Sequence, residues 1–169
     1  GDCPHLVLDI GGGSTELILA DGRDARALTS TRVGAVRLQR DFVRDDPMPP
    51  QRRTFLQAFI QGSLEPAVNK VLRRITPEET PVMVATSGTA MAIGALAASE
   101  EDRPPLKLHG YRVSKQRLDR VVDRLVVMTP EQRKGLAPIN DRRAEIIVPG
   151  ALILQTSMQM LGANELVLS

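Results

Sequence analysis

The sequence predicts an α/β domain in which helices cover a mixed sheet. Three observations carry that prediction. Short apolar runs at His5–Ile10 and at residues 81–86 end on glycine or Ser-Gly signals, as buried strands do. A long stretch with apolar residues at helical spacing, residues 51–74, lies between them. After three initial strands, helices alternate with strands, which is the order of a layered α/β fold.

Each element follows from a local signal. The run HLVLDI is a buried strand, and residues 15–20 form a second strand that closes on Asp21-Gly22, a favoured hairpin turn. A third strand is expected over residues 25–36, antiparallel to the second. Pro47, Pro49 and Pro50 mark a linker. In the helix that follows, Phe55, Phe59, Leu64, Val68, Val71 and Leu72 recur with the helical period, and Gly62 and Pro66 weaken its middle.

PVMVAT is the next buried strand, and Ser87-Gly88-Thr89 opens an alanine-rich helix over residues 90–98. A charged, proline-bearing loop follows, then a small edge strand at 108–113. Ser114 caps a helix over 115–127, and Thr129-Pro130-Glu131 starts a short one. Residues 142–161 read as one long helix with Gly162 as its stop, and residues 166–168 as a closing strand. Residues 114–140 stand as a helical insertion within a single domain spanning 1–169.

Composition excludes several classes. The 169 residues have the length of one ordinary domain, and their hydrophobic content of 42% supports a core. Aromatic residues make up only 2%, so the core is aliphatic and a base-stacking surface is not expected. Twenty-two basic against 20 acidic residues give a net charge of +2, too little to argue for nucleic acid. Cys3 stands alone, which excludes an internal disulfide, and is expected to be a small packing residue. With His5 and His109 as the only histidines, no convincing zinc set exists, and no G-x-S-x-G elbow appears. Nothing resembles a signal peptide or a membrane span, so a cytoplasmic setting is expected. The chain begins and ends on strands, as a piece of a longer protein would.

Three stretches can carry chemistry. In LDIGGGSTEL, Gly11, Gly12 and Gly13 let main-chain amides approach an anion closely, and Ser14 and Thr15 add hydroxyls. Asp9 can hold a divalent cation directly or through water, and Glu16 can act on a water or help to hold the metal. Donors for an anion beside acceptors for a cation are what phosphoryl transfer needs. The plain alternative is a hairpin turn, but three glycines exceed what a turn requires. The missing lysine and the strand that follows set this loop apart from a P-loop. Ser87, Gly88 and Thr89 form a second strand-end loop at a helix N-terminus, where an anion is favoured, although Ser87 or Thr89 serves equally as the cap. Arg143 and Glu145 flank a helix start, and Arg143 is either an anion contact or a solvated arginine. Pro149-Gly150 points to a bend or to close helix packing.

Asp9-Ile10-Gly11-Gly12-Gly13-Ser14-Thr15-Glu16 resembles the signature of the exopolyphosphatase and guanosine pentaphosphate phosphohydrolase (Ppx/GppA) family. Gly34-Ala35-Val36-Arg37-Leu38, Ala85-Thr86-Ser87-Gly88-Thr89 and the stretch from Arg143 to Ala151 resemble three further family motifs in the same order. The resemblance implies a ribonuclease-H-like (actin-like ATPase) domain: a mixed five-stranded sheet with helices on both sides, forming the second half of a two-domain catalytic core. It further implies Mg²⁺ placed by Asp9 and Glu16. Phosphates would be cradled by Gly11, Gly12, Gly13, Ser14, Thr15, Ser87, Gly88, Thr89 and Arg143. The substrate would be polyphosphate or pppGpp, attacked by water at its terminal phosphorus. Glu16 is the only candidate catalytic carboxylate here, because the family's general-base glutamate belongs to the other domain. This half alone is then expected to be inactive, and a homodimer is compatible with it. A non-hydrolytic nucleotide or (p)ppGpp-binding module remains the alternative.

Overall fold

The computed structural model describes residues 3–169. Its three opening strands are β1 (His5–Ile10), β2 (Thr15–Asp21) and β3 (Asp24–Thr31). Helices α1 (Ala35–Phe42) and α2 (Pro50–Leu72) come next, then β4 (Val82–Ala85) and α3 (Gly88–Ser99). Then follow β5 (Arg112–Ser114), α4 (Lys115–Val127), α5 (Pro130–Lys134) and α6 (Asp141–Ala144). Helix α7 (Ile147–Leu161) and β6 (Glu165–Leu168) close the chain.

The six strands lie in the order β3-β2-β1-β4-β6-β5. The β1/β2, β2/β3 and β5/β6 pairs are antiparallel, and β1/β4 and β4/β6 are parallel. The expected mixed sheet is present with one strand more than the five expected. The five came from the resemblance; the sixth is the edge strand that the residues predicted at 108–113, found shorter and later as β5 and anchored by the buried Val113.

Alternation along the strands separates two faces. Leu6, Leu8, Ile10, Leu17, Leu19, Met83, Ala85, Leu166 and Leu168 are buried on one face. On the other, Val7, Ile18, Val84 and Val167 are half-buried, and His5, Asp9, Thr86 and Glu165 are exposed. The expectation of helices on both sides is therefore corrected: among the described residues, the helices cover the first face and no strand residue is buried on the second.

Helix α7 is the hub. Every residue from Ile147 to Met158 is buried, and the helix contacts α1, α2, α3, α4, α6 and β1. Residues 114–140 do not stand apart: Leu118, Val121, Val122 and Leu125 of α4 belong to the same core cluster as the strands. Arg133 of α5 is buried and donates to the carbonyls of Met128 (2.9 Å) and Leu125 (3.3 Å), and it pairs with Asp46.

Three expectations about elements need correction. The third strand stops at Thr31, and Gly34 in extended conformation opens α1, which was not foreseen. Its eight residues offer only Ala35 and Leu38 to the core, too short a pattern to read by period. In α2 the buried stripe is Leu56, Ile60, Leu64, Ala67, Val68 and Val71, whereas Phe55, Phe59 and Leu72 are exposed at 49%, 40% and 40%. The final helix is two helices. Pro149 would clash with the carbonyl four residues back in a continuous helix, so α7 restarts at Ile147 and carries the proline in its first turn. Gly162 ends it in the left-handed conformation, φ 68°. Cys3, expected to pack, is exposed and donates to the carbonyl of Thr80.

Candidate active site

Strands β1 and β4 are parallel neighbours with Leu8 opposite Ala85, so the loops that follow them emerge at the same edge of the sheet. This juxtaposition brings both glycine-bearing stretches together. The amide of Thr86 bonds the Leu8 carbonyl at 3.2 Å, which ties the second loop to the end of β1.

The first loop is a hairpin tip, Gly12-Gly13, closed by the Gly11 amide donating to the Ser14 carbonyl at 2.8 Å. The carbonyl that would normally complete this closure is committed elsewhere. Gly11 O accepts from the Ala35 amide (3.0 Å) and Gly12 O from the Arg37 amide (3.1 Å), both in the first turn of α1. In a trans peptide the N–H points opposite to the C=O. With both carbonyls drawn to α1, the Gly12 and Gly13 amides are turned away from it. Neither they nor the Ser14 amide has a partner among the described residues. The clamp demands close approach: a Cβ on Gly34 would lie 2.4 Å from Gly12 C and O and 2.6 Å from Gly13 N.

Three details differ from expectation. None of the three loop glycines has a positive φ; their value is close approach and not left-handed backbone. The Gly11 amide is consumed by the turn and is not free for an anion. Thr15 is 1% exposed and donates its hydroxyl to the Val33 carbonyl at 2.6 Å, so that hydroxyl fixes the entry to α1 and does not reach the site.

Asp9 and Glu16 face each other across β1 and β2 on the open face. Ser14 and Ser30 both donate to Glu16 Oε1, at 2.9 and 3.1 Å. No cluster of three or more acidic, histidine or cysteine side chains occurs among the described residues. Two neighbouring carboxylates nevertheless fit Mg²⁺, which takes one or two protein carboxylates and completes its shell with water and substrate phosphate.

The second loop works differently. Ser87 caps α3, its hydroxyl accepting from the Ala90 amide at 3.1 Å. Thr89 is fully buried and accepts from Arg143 Nη1 at 3.1 Å. The guanidinium lies over Gly88, where a Cβ would stand 2.3 Å from Nη2. Gly150 lets α7 press on α3, since a Cβ there would meet Thr89 at 2.5 Å. Gly88, Thr89 and Arg143 are thus assembled by the contact of two helices.

Sequence reasoning missed Arg37 and Arg40, which with Gly12, Gly13 and Val36 line a hollow of about 520 Å³. Arg37 stands in a recognised stretch, but without α1 its place beside the loop was not legible. A larger hollow of about 710 Å³ lies over the open sheet face, lined by apolar residues such as Val7, Val84 and Val167. It lacks the convergent donors of the loops.

The arrangement defines a class: an α/β domain presenting two strand-end loops, one of free amides and one of a guanidinium, beside a pair of carboxylates. Comparison with known proteins gives the family. The model of the Ppx/GppA phosphatase family matches residues 1–169, and the chain belongs to that family. It is 34% identical over 152 residues to "Exopolyphosphatase 2" of Mycobacterium tuberculosis, covering 90% of this chain and 46% of that protein. "Guanosine-5'-triphosphate,3'-diphosphate pyrophosphatase" of Vibrio parahaemolyticus is 38% identical over 93 residues, 55% of this chain and 18% of that protein. The Aquifex aeolicus PPX-GPPA enzyme superposes with a TM-score of 0.85 at 25% identity, over 100% of this chain and 54% of its own. The chain therefore spans about half the length of the relatives it matches. No helix among the described residues is long and apolar enough to cross a membrane.

Proposed function

We propose that this domain supplies the phosphate-binding half of a cytoplasmic phosphoanhydride hydrolase that releases orthophosphate from the end of polyphosphate or from the 5′ end of pppGpp. The observation that carries the reading is the set of unpartnered amides at Gly12, Gly13 and Ser14, the first two turned away from α1 because it takes the carbonyls of their own peptides. A plain two-residue hairpin also leaves its two tip amides free, but it uses the fourth amide to close the turn; here the Ser14 amide is free as well, and α1 fixes the tip by holding the Gly11 and Gly12 carbonyls. Amides fixed before the ligand arrives bind an oxyanion without reorganising, which is how charge developing in a transition state is stabilised.

Gly12, Gly13 and Ser14 would hold the terminal phosphate, and Arg143, with Thr89 beneath it, would neutralise charge from the β4 side. Asp9 and Glu16 would hold Mg²⁺, whose role when bound is to neutralise phosphate charge. Water attacks the terminal phosphorus, the phosphoanhydride bond breaks, and the shortened chain leaves as a phosphate oxyanion. The general base and the opposite wall of the cleft would come from the other half of the full-length protein, so this half alone would not turn over.

The test is phosphate release from polyphosphate and from pppGpp, with Mg²⁺, by the full-length protein and its Asp9→Ala and Gly12→Val variants. Losses of about 10²–10³-fold with little change in Tm are expected. Tight ATP binding with no hydrolysis of either substrate would instead favour a nucleotide-sensing module. Full activity of both variants would overturn the phosphate-loop reading.

A further inference from the structure

The open face of the sheet carries a polar row across four strands at the level of the site. Ser30 on β3 is paired with Glu16 on β2, and Glu16 with Asp9 on β1. Thr86 follows β4 directly, bonded by its amide to the Leu8 carbonyl. Below this row the same face turns apolar at Leu28, Ile18, Val7 and Val84, which the strand registers place side by side. Within the polar row Glu16 is the only carboxylate whose orientation is set by hydroxyls from two different elements. Ser14 comes from the glycine loop itself and Ser30 from the third strand, and both donate to the same oxygen, Oε1. Oε2 has no hydrogen-bond partner among the described residues.

We infer that Ser30 is a positioning residue for the reaction, acting through Glu16. The inference rests on the proposed phosphate site and extends it to a residue on an element that carries no recognised motif. Two donors saturate one carboxylate oxygen and lock the rotation of the group. The second oxygen is then the one presented to the cation or to water. Ser14 performs the same service from the loop, and Ser30 from the β3 strand ladder, so the carboxylate is held from both sides. Hydrogen bonds to groups that ligate metals typically govern affinity by about an order of magnitude or more.

The test uses the full-length protein with Ser30→Ala, Ser30→Thr and Asp9→Ala. Two readouts are taken: kcat/KM, and Mn²⁺ affinity by electron paramagnetic resonance in the absence of substrate. Ser30→Ala is expected to lower kcat/KM and to weaken Mn²⁺ binding, each by about tenfold. Ser30→Thr keeps the hydroxyl and restores both. Should Ser30→Ala leave both readouts unmoved while Asp9→Ala abolishes turnover, the positioning role is overturned and the phosphate site stands. Should Asp9→Ala also retain full turnover, the site reading fails, and the role of Ser30 with it.

Discussion

The loops after β1 and β4 leave the same edge of the sheet and carry similar residues, yet they are built on opposite plans. The first offers main chain. Its tip amides are held outward because α1 takes the carbonyls of their peptides, and the Thr15 hydroxyl and the missing Cβ of Gly34 serve the clamp and not a ligand. The second offers side chains. Ser87 caps α3, and Thr89 supports Arg143, which arrives from α6 across a helix contact. A backbone site held by a steric clamp can only be right or broken. A side-chain site resting on a flexible guanidinium can yield by degrees.

The largest expected effect follows from the clamp. Gly34→Val would put carbon within 2.4 Å of the Gly12 backbone, and backbone cannot swing aside. The α1 turn would lift from the loop and the amides would lose their orientation. Turnover of the full-length protein should fall by about 10³-fold or more, with a measurable drop in Tm. Gly13→Ala sharpens the contrast, because a Cβ there meets nothing within 4 Å. It should leave Tm unchanged and raise KM, since the methyl enters only the space the anion would occupy. Equal loss of Tm in both variants would show that the tip is structural.

The β4 loop should respond less. Gly88→Ala places carbon 2.3 Å from Arg143 Nη2, the far end of a side chain that can move. A loss of about tenfold in kcat/KM with an unchanged Tm is expected, as for loss of one charged contact. Arg143→Gln should cost about the same, and the double variant no more than either single one, because both remove one interaction. Additive losses would separate Gly88 from the guanidinium. Smaller still is Ser87→Ala, which removes the α3 cap: stability should fall by about 1 kcal/mol in denaturant titration while KM holds.

How much of this could be read beforehand differs between the loops for a physical reason. Asp-Gly, Ser114, Thr129-Pro130 and Gly162 are local signals, and the structure places a turn, two caps and a stop there. The glycine triplet and Ser87-Gly88-Thr89 were legible as strand ends, because strand periodicity and glycine are also local. The clamp was not. Helix α1 is eight residues long with two buried positions, below what periodicity resolves, and the Thr15 hydroxyl finds its acceptor 18 positions away. The same holds for Ser30, whose relation to Glu16 exists only once the β2/β3 register is set. The open second face was also illegible, since half-buried valines in a strand look the same covered or bare.

A last comparison uses the opposite edge of the sheet as a control. There Arg26 of β3 forks onto both oxygens of Glu79, each at 2.7 Å, and also bonds Asp21 at 2.7 Å. Arg26, and then the Thr76 amide, hold the Glu79 carboxyl down to about 2. A carboxyl whose folded value is depressed contributes stability that is full above its ordinary range, near pH 4.3, and is lost as pH falls toward 2. Glu79→Gln should therefore be less stable than the parent at neutral pH, and the two should converge as pH drops through that window. Urea titrations at a series of pH values would show it, and a stability gap that stays constant down to pH 2 would refute the bridge. Turnover at neutral pH should be the same in both, because neither loop touches this bridge. A loss of activity in Glu79→Gln would mean that the sheet transmits strain from one edge to the other, and that the contrast between a rigid loop and a yielding one belongs to the whole sheet and not to the loops.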